Sequence, residues 1–412
     1  MQTAFKSANI FRAMLFTSLF ALMPMFVCLF WGILLLADKR RNLPKSYLAF
    51  FMFVTLVNYF THAAFFLHEI KLFAFMDNVW VFTSLASYPL YYYYIRLLTR
   101  DTKVNWKWLV ILLPAFLTSL FSFTLYFMMS QEELELFIYQ SMYHQPALTT
   151  EVPLLVRLQV MRTNIFKWIF AIQVVLVLIY GTRLISLYNK KLTDFYSNKT
   201  GRDLSIFKML LLALFFSSLI SGISNLLGKD FFINRKLPFA VISLLHSTFL
   251  FWIGYVGSYQ NLTISDFKRD VAKYKKQMKL GGPVQKKESG LMEDLNALVK
   301  GNQLFTNPDL QVSDLALRLK TNRSYISRTI NQDMDTNFCD WINAFRVNHA
   351  KELMKSSAPE LTMESIAEQS GFSNISTFYR VFKKHEKCTP GKYMSLASKH
   401  GVEQEADSTL TR

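Results

Sequence analysis

Cysteine is nearly absent from these 412 residues, which contain only Cys28, Cys339 and Cys388. No CxxC pair or Cys/His spacing suggests zinc, and three cysteines make no disulfide framework, so free thiols are expected. Charge is scarce as well. Asp, Glu, Lys and Arg make up 18% of the chain, against about 25% in an ordinary soluble protein. Acidic residues are the rarer sign, 29 against 46 basic, for a formal net charge of +17. Catalytic signatures are missing: there is no P-loop, no GxSxG, no HExxH and no glycine loop of the kinase type. No enzymatic activity, no metal and no cofactor are expected.

Apolar residues are abundant, at 51% hydrophobic and 16% aromatic. That excludes a disordered or collagen-like chain and argues against a wholly soluble one. Seven stretches approach or exceed the ~20 apolar residues that span a bilayer as helix. They run roughly Ala13–Ala37, Tyr47–Leu67, Leu72–Leu98, Trp108–Met129, Ile165–Tyr188, Ile206–Leu227 and Pro238–Tyr259. The first is too long for a cleavable signal peptide and has no small-residue cleavage site. Pro24, Pro89 and Pro114 are expected to kink their helices.

The charge is unevenly placed. Residues 1–259 carry +12, residues 260–290 +5, residues 291–400 only +2, and the last twelve −2. Counting loop by loop, 20 Lys and Arg fall on one side of the seven spans and 9 on the other. The positive-inside rule then puts the N-terminus outside and the C-terminus in the cytoplasm of a multi-pass inner-membrane protein.

Polar residues within the spans are candidate ligand-binding groups, because ionisable side chains are costly in lipid. These are Asn58 and His62 on one face of the second span, Asp77 early in the third, and His246 in the seventh. Interhelical hydrogen bonding is the competing reading for each, and a headgroup position competes for Asp77. The run Tyr91–Tyr94 reads as an interfacial aromatic belt. The long outer loop Ser130–Asn164, with Tyr139, Tyr143, His144, Pro146 and Pro153, reads as a solvated cap or a ligand-binding element. The seventh span has no lysine between Val241 and Tyr259, which excludes a retinal Schiff base.

Beyond Tyr259 the residues Ile264, Phe267, Val271, Tyr274 and Met278 make an a/d seam over about two heptads. Two readings stand: a short coiled coil that pairs two chains, or a basic amphipathic helix on anionic lipid. Gly281-Gly-Pro283 stops this helix, and a flexible linker follows to Gly290.

The region from Leu291 to about residue 400 contains an internal repeat. Ser313–Ile330 (SDLALRLKTNRSYISRTI) and Met363–Phe382 (MESIAEQSGFSNISTFYRVF) align at an offset of 51, shifting to 52 through one extra residue in the second turn. Each copy reads as helix, turn, helix. Leu315, Ala316 and Leu319 form the inner face of the first leading helix, and Ile366 and Ala367 that of the second. Asn322, and Ser373 or Asn374, are positioned as N-caps. Ile326 and Ile330 seat the first recognition helix, Phe378 and Phe382 the second, and Gly371 permits the turn. A linking helix over Asp340–Lys355 would bury Trp341, Ile342, Phe345, His349 and Leu353.

The WINAFRVNHAKELM helix, Gly371-Phe372, the Phe378/Arg380/Phe382 spacing, and Pro390 followed by Tyr393 recur together. In these motifs the region resembles the DNA-binding domain of AraC/XylS transcription regulators, over about a quarter of the chain. The resemblance implies two helix-turn-helix units on a rigid helix, each placing its second helix in the major groove of promoter DNA. Candidate DNA-binding residues are Arg323, Ser324, Ser327 and Arg328 in the first unit, and Asn374, Ile375, Ser376 and Arg380 in the second. Arg328 and Arg380 are the best placed for bases or adjacent phosphates. Lys383, Lys384 and Lys387 are placed to meet phosphates.

The expected fold is all-α: a polytopic seven-transmembrane-helix domain (1–259), a basic exit helix and linker (260–290), a cytoplasmic double helix-turn-helix domain (291–400) and a disordered tail (401–412). The expected function is a membrane-bound one-component transcription regulator. Its expected partners are double-stranded promoter DNA, the lipid bilayer, a second copy in a homodimer, RNA polymerase, and an unidentified small-molecule or peptide signal. Two alternatives stand beside it: activation by proteolytic release at the linker, and a transporter or other membrane protein carrying its own regulator.

Overall fold

The computed structural model of the chain describes residues 2–66, 70–139, 152–227, 236–260, 263–280, 290–356 and 361–396. Among them the architecture is all-helical, with an isolated antiparallel bridge between Tyr196 and Gln311. The chain divides into two compact units. One joins Met1–Ser186 with Leu204–Ser265, the other Leu187–Asp203 with Asp266–Arg412.

The first unit is built from α1 (Gln2–Ala37), α2 (Leu43–Phe66), α3 (Ile70–Thr99), α4 (Leu113–Met128), α5 (Gln131–Phe137), α6 (Leu154–Thr193, up to Ser186), α7 (Ser205–Leu227) and α8 (Lys236–Tyr259). Its helices pack α1 on α2 and α8, α2 on α3, α3 on α4, and α7 on α8. Small residues set the close approaches. A Cβ on Gly254 would fall 2.2 Å from Trp31 Cγ, and one on Gly257 would fall 2.1 Å from Leu48 Cδ2, so α8 needs glycine where it crosses α1 and α2. The outer surface is apolar: Phe30, Ile33, Phe116, Phe127, Trp168 and Phe216 are all exposed. Water would penalise so large an apolar surface, whereas hydrocarbon would not.

Six stretches of the described residues are long and apolar enough to cross a membrane, beginning at Ser18, Leu43, Trp106, Leu154, Ser205 and Leu237. The third of the seven expected spans, α3, is not among them. Asp77, Asn78, Arg96 and five tyrosines lower its hydropathy. It is instead walled in by protein. Val81, Leu85, Ala86 and nearly every residue from Leu90 to Thr99 are buried, so its side chains need not match lipid.

Three local expectations change. Tyr91, Tyr93 and Tyr94 form no interfacial belt, because all three are buried. Their rings meet Phe51, Tyr47 and Phe207, and Tyr93 Oη accepts the Asn105 N–H at 2.8 Å. Pro114 does not kink a helix but opens α4, where its missing N–H costs nothing. Much of the loop expected over Ser130–Asn164 is helical. Ser130 and Glu133 form a capping box that starts α5, and α6 begins at Leu154, just after Pro153. Tyr139 is exposed. Tyr143, His144 and Pro146 lie outside the described residues, as do the linker 281–289, the tail from 397 onward and the side chain of His62.

The second unit contains α9 (Ile264–Leu280, from Asp266), α10 (Leu291–Gly301), α11 (Val312–Arg318), α12 (Arg323–Asp333), α13 (Phe338–Ser356), α14 (Met363–Gln369) and α15 (Ile375–Glu386). Part of the heptad seam of α9 is covered within the unit itself. The Phe267 ring packs on Phe195 and Tyr196 of the same unit, and Tyr274 is buried with its hydroxyl on the Arg323 N–H.

Candidate DNA interface

The two repeats fold as two helix-turn-helix units, α11–α12 and α14–α15. Four residues separate the helices of the first and five those of the second, which accounts for the shift in repeat offset. Each turn needs one left-handed residue: Lys320 (φ 49°) in the first, Gly371 (φ 84°) in the second. Only glycine suits the second. A Cβ there would sit 2.4 Å from the Phe305 carbonyl oxygen and 2.6 Å from Thr306 Cα.

Caps fix where each recognition helix begins. Asn322 Oδ1 accepts the Ser324 N–H at 3.0 Å, and Asn374 Oδ1 accepts the Thr377 N–H at 2.8 Å. Apolar seats fix the rotation: Ile326 and Ile330 are fully buried on α12, and Phe378 and Phe382 on α15. With those faces inward, Ser324 and Arg328 are exposed on α12, and Ser376, Arg380 and Lys383 on α15. Neither Arg328 nor Arg380 forms an ion pair among the described residues. Ile375 and Asn374 are half-buried, and the Asn374 side chain is spent on the cap. Lys384 is held 2.8 Å from Asp340 of α13. Burial raises the Asp340 pKa, but the hydrogen bond and charge of Lys384, joined by Asn337 and Lys199, together outweigh it and hold it below the usual range. Lys387, in a left-handed C-cap, donates to the Lys384 carbonyl.

The linking helix α13 buries two faces rather than one stripe. Trp341 and Ile342 are buried, while Phe345, His349 and Leu353 are only half-buried. Arg346, Val347, Ala350 and Met354 are buried as well. The reason is that α13 has both helix-turn-helix units against it, so a one-sided stripe underestimates its core. His349 packs edge-on to Phe305. Arg346 has no carboxylate partner among the described residues, yet each of its nitrogens is used. Nε donates to Phe305 O (2.7 Å), Nη1 to Ser197 O (3.1 Å) and Asn343 Oδ1 (3.2 Å), and Nη2 to Asn307 O (2.8 Å) and Ser197 Oγ (3.0 Å). Burial pulls its pKa down to about 10.

Two of the expected reading residues are engaged within the unit. Ser327 Oγ donates to the Asp194 carbonyl at 3.3 Å, and the Arg323 guanidinium lies 5.3 Å from the Phe195 ring centroid.

In the first unit Asn58, His246 and Asp77 each find a partner on another helix. Asn58 of α2 donates to Thr83 and Ser84 of α3. His246 of α8 bonds Ser221 of α7 at 3.0 Å. Asp77 is fully buried in protein, and pairs with Arg162 of α6 at 2.9 Å while accepting the Tyr126 hydroxyl at 2.9 Å. Arg162 falls in a loop on the sequence reading; it is buried because α6 starts earlier than its most apolar stretch. Its partner lies 85 residues away, which no local pattern could reveal.

A helix-turn-helix domain family matches residues 315–395. The chain is 31% identical over 85 residues to the uncharacterized HTH-type transcriptional regulator YtdP of Bacillus subtilis, covering 21% of this chain and 11% of that protein. It is 30% identical over 105 residues to the TCP pilus virulence regulatory protein of Vibrio cholerae, covering 26% and 36%. Among solved structures, a protein of unknown function from Listeria innocua is 29% identical over 26% of this chain and 98% of its own, with a TM-score of 0.23. The C-terminal domain of the response regulator yesN from Fusobacterium nucleatum is 27% identical over 24% and 98%, with a TM-score of 0.22. The chain thus spans only 11% and 36% of the two curated relatives. On the repeat, its caps and seats, and this match, residues 315–395 form an AraC-type helix-turn-helix domain, the DNA-binding module of the chain.

Proposed function

We propose that this protein is a membrane-bound one-component transcription regulator, in which a signal received by the first unit governs promoter binding by the second. The observation that carries the proposal is the conjunction, in one chain, of a double helix-turn-helix that exposes Arg328 and Arg380 with six helical stretches apolar enough to cross a bilayer. A recognition helix fits the major groove, and an arginine bonding a guanine bidentately gives about 1–3 kcal/mol of discrimination. Ser324, Ser376, Lys383 and Lys384 complete the DNA surface in this reading. The charge asymmetry between loops supports an outside N-terminus and a cytoplasmic C-terminus.

The signal, a small molecule or peptide, acts in this reading on the polar groups of the first unit: Asn58, His62, Asp77 and His246. It must bind two states of the unit differently, or nothing shifts. Two copies acting together would compensate for the modest charge of residues 291–400, with RNA polymerase as the downstream partner. The test is crosslinked-DNA mapping of the C-terminally tagged protein alongside fractionation of membranes. Discrete sites with full-length protein in the membrane are expected. Arg328→Ala and Arg380→Ala should each weaken occupancy roughly five- to a hundredfold and leave membrane insertion intact. Unchanged occupancy in both variants would refute the assignment, and a short soluble fragment at the same sites would turn it to proteolytic release.

A further inference from the structure

The segment Leu187–Asp203, the end of α6 and its connection to α7, folds with the DNA-binding unit. Its centre is bonded to residues 310–312 through the main chain. Ser197 N–H donates to Leu310 O at 3.1 Å, Val312 N–H donates to Phe195 O at 3.0 Å, and Tyr196 pairs antiparallel with Gln311. Side chains anchor the segment. Phe195, Tyr196 and Ser197 are all buried, and the Tyr196 hydroxyl donates to Asp270 at 2.6 Å. The Ser197 carbonyl accepts from the Cys339 thiol and from Arg346, which also reaches the Ser197 hydroxyl. Two of the five bonds of a buried guanidinium thus depend on this segment.

The same segment reaches the N-terminal ends of both recognition helices. On α12 it takes the Ser327 hydroxyl through the Asp194 carbonyl and lies under Arg323 through Phe195. At α15 the Thr200 hydroxyl is 3.3 Å from those of Ser373 and Thr377. Recognition helices present these N-terminal residues to base edges. A base or phosphate would need the same hydrogen-bonding distance from the same atoms, so the segment and a seated duplex cannot both occupy them. Arg328 and Arg380 stay exposed, so the masking covers the entrance of each helix rather than its whole length.

We infer that residues 194–200 are a latch, an internal ligand of the DNA-binding unit that competes with duplex DNA. This rests on the reading of α12 and α15 as the DNA-contacting helices. Because the latch is continuous with α6 and α7, a state of the first unit that withdraws it frees both helix entrances, which couples a signal to DNA binding. The apparent DNA affinity is then the intrinsic one scaled by the undocked fraction. The segment also carries Lys190, Lys191, Lys199 and Arg202. The opposite arrangement, in which it adds phosphate contacts, is therefore an outcome the test must separate.

The test uses the full-length protein in detergent micelles, with Cys388→Ser, Thr200→Cys and Thr377→Cys. The probe is the duplex, roughly 40 base pairs and so about four turns of the major groove, that the reduced protein enriches from a random-sequence library. Oxidation should join the two introduced thiols at positions 200 and 377 in a disulfide, weaken binding of that duplex by about tenfold or more, and be reversed by reductant. Phe195→Ala in the native background should shift affinity the other way. Affinity unchanged or raised by the crosslink overturns the latch, and so does failure of the two introduced thiols to crosslink. Arg380→Ala keeps the two ideas apart. If it leaves the reduced protein's affinity unchanged, the DNA-interface reading fails; if it weakens binding while the crosslink does nothing, only the latch fails.

Discussion

Removing one charge of the Asp77–Arg162 pair should destabilise the first unit far more than removing both. The two side chains are 0% and 1% exposed and meet at 2.9 Å. Arg162→Met strands a buried carboxylate, and Asp77→Leu strands a buried guanidinium. Either loss costs about 3–5 kcal/mol. The double variant strands no charge. It leaves the Tyr126 hydroxyl without its acceptor, which costs about 1–3 kcal/mol, and replaces the pair with apolar groups of similar volume, which is often neutral or stabilising. The pair is not ideally satisfied even now, since Asp77 Oδ1 and Arg162 Nε and Nη1 have no hydrogen-bond partners among the described residues. The expected loss in the double variant is therefore about 0–3 kcal/mol, against roughly 6–10 for the two singles added. The measurement is SDS-induced unfolding of the four proteins from mixed micelles, followed by tryptophan fluorescence and assembled into a double-mutant cycle. Additivity within about 0.5 kcal/mol would refute the argument, since groups that do not interact add.

Two further perturbations test the second unit. Gly371→Ala should destabilise it by about 2–4 kcal/mol, combining a left-handed backbone penalty with a clash against the rigid 305–306 main chain; protection of α14 and α15 from hydrogen exchange reports it, and unchanged protection would deny that the turn requires glycine. The Asp340–Lys384 pair should make the same unit acid-sensitive. The folded pKa of Asp340 is lowered, so the unfolded state binds more protons between the folded and unfolded values. Stability is then fully present above the ordinary carboxylate pKa of about 3.9 and declines as pH falls through the folded value. Asp340→Asn should flatten that part of the pH–stability curve, and an unaltered curve would assign the sensitivity to other carboxylates.

Much of the DNA-binding module was legible because its signals are local. Asn322 and Asn374 cap the next few residues, Ile326/Ile330 and Phe378/Phe382 repeat at one helical turn, and Gly371 marks a left-handed position. These are properties of neighbours in sequence, readable from propensity and period. Arg346 was missed because an arginine inside an apolar helix looks like an exposed interruption; its four partner residues include three from outside α13. The tyrosine run was misplaced for a related reason. Aromatic residues near a span's end suit a lipid interface and a protein interior equally well, and only the covering helices distinguish the two.

By itself the sequence determined the helical class, the apolar segments and the duplicated helix-turn-helix, because hydrophobic period, capping and turn chemistry act within a few residues. Tertiary structure alone decided what covers each amphipathic face. It paired Asp77 with Arg162, turned the α9 seam toward Phe195 and Tyr196, and bonded Phe195 and Ser197 to residues 310–312. Those contacts join groups 71 to more than a hundred positions apart, and what selects them is the burial of complementary surfaces, which leaves no periodic trace along the chain.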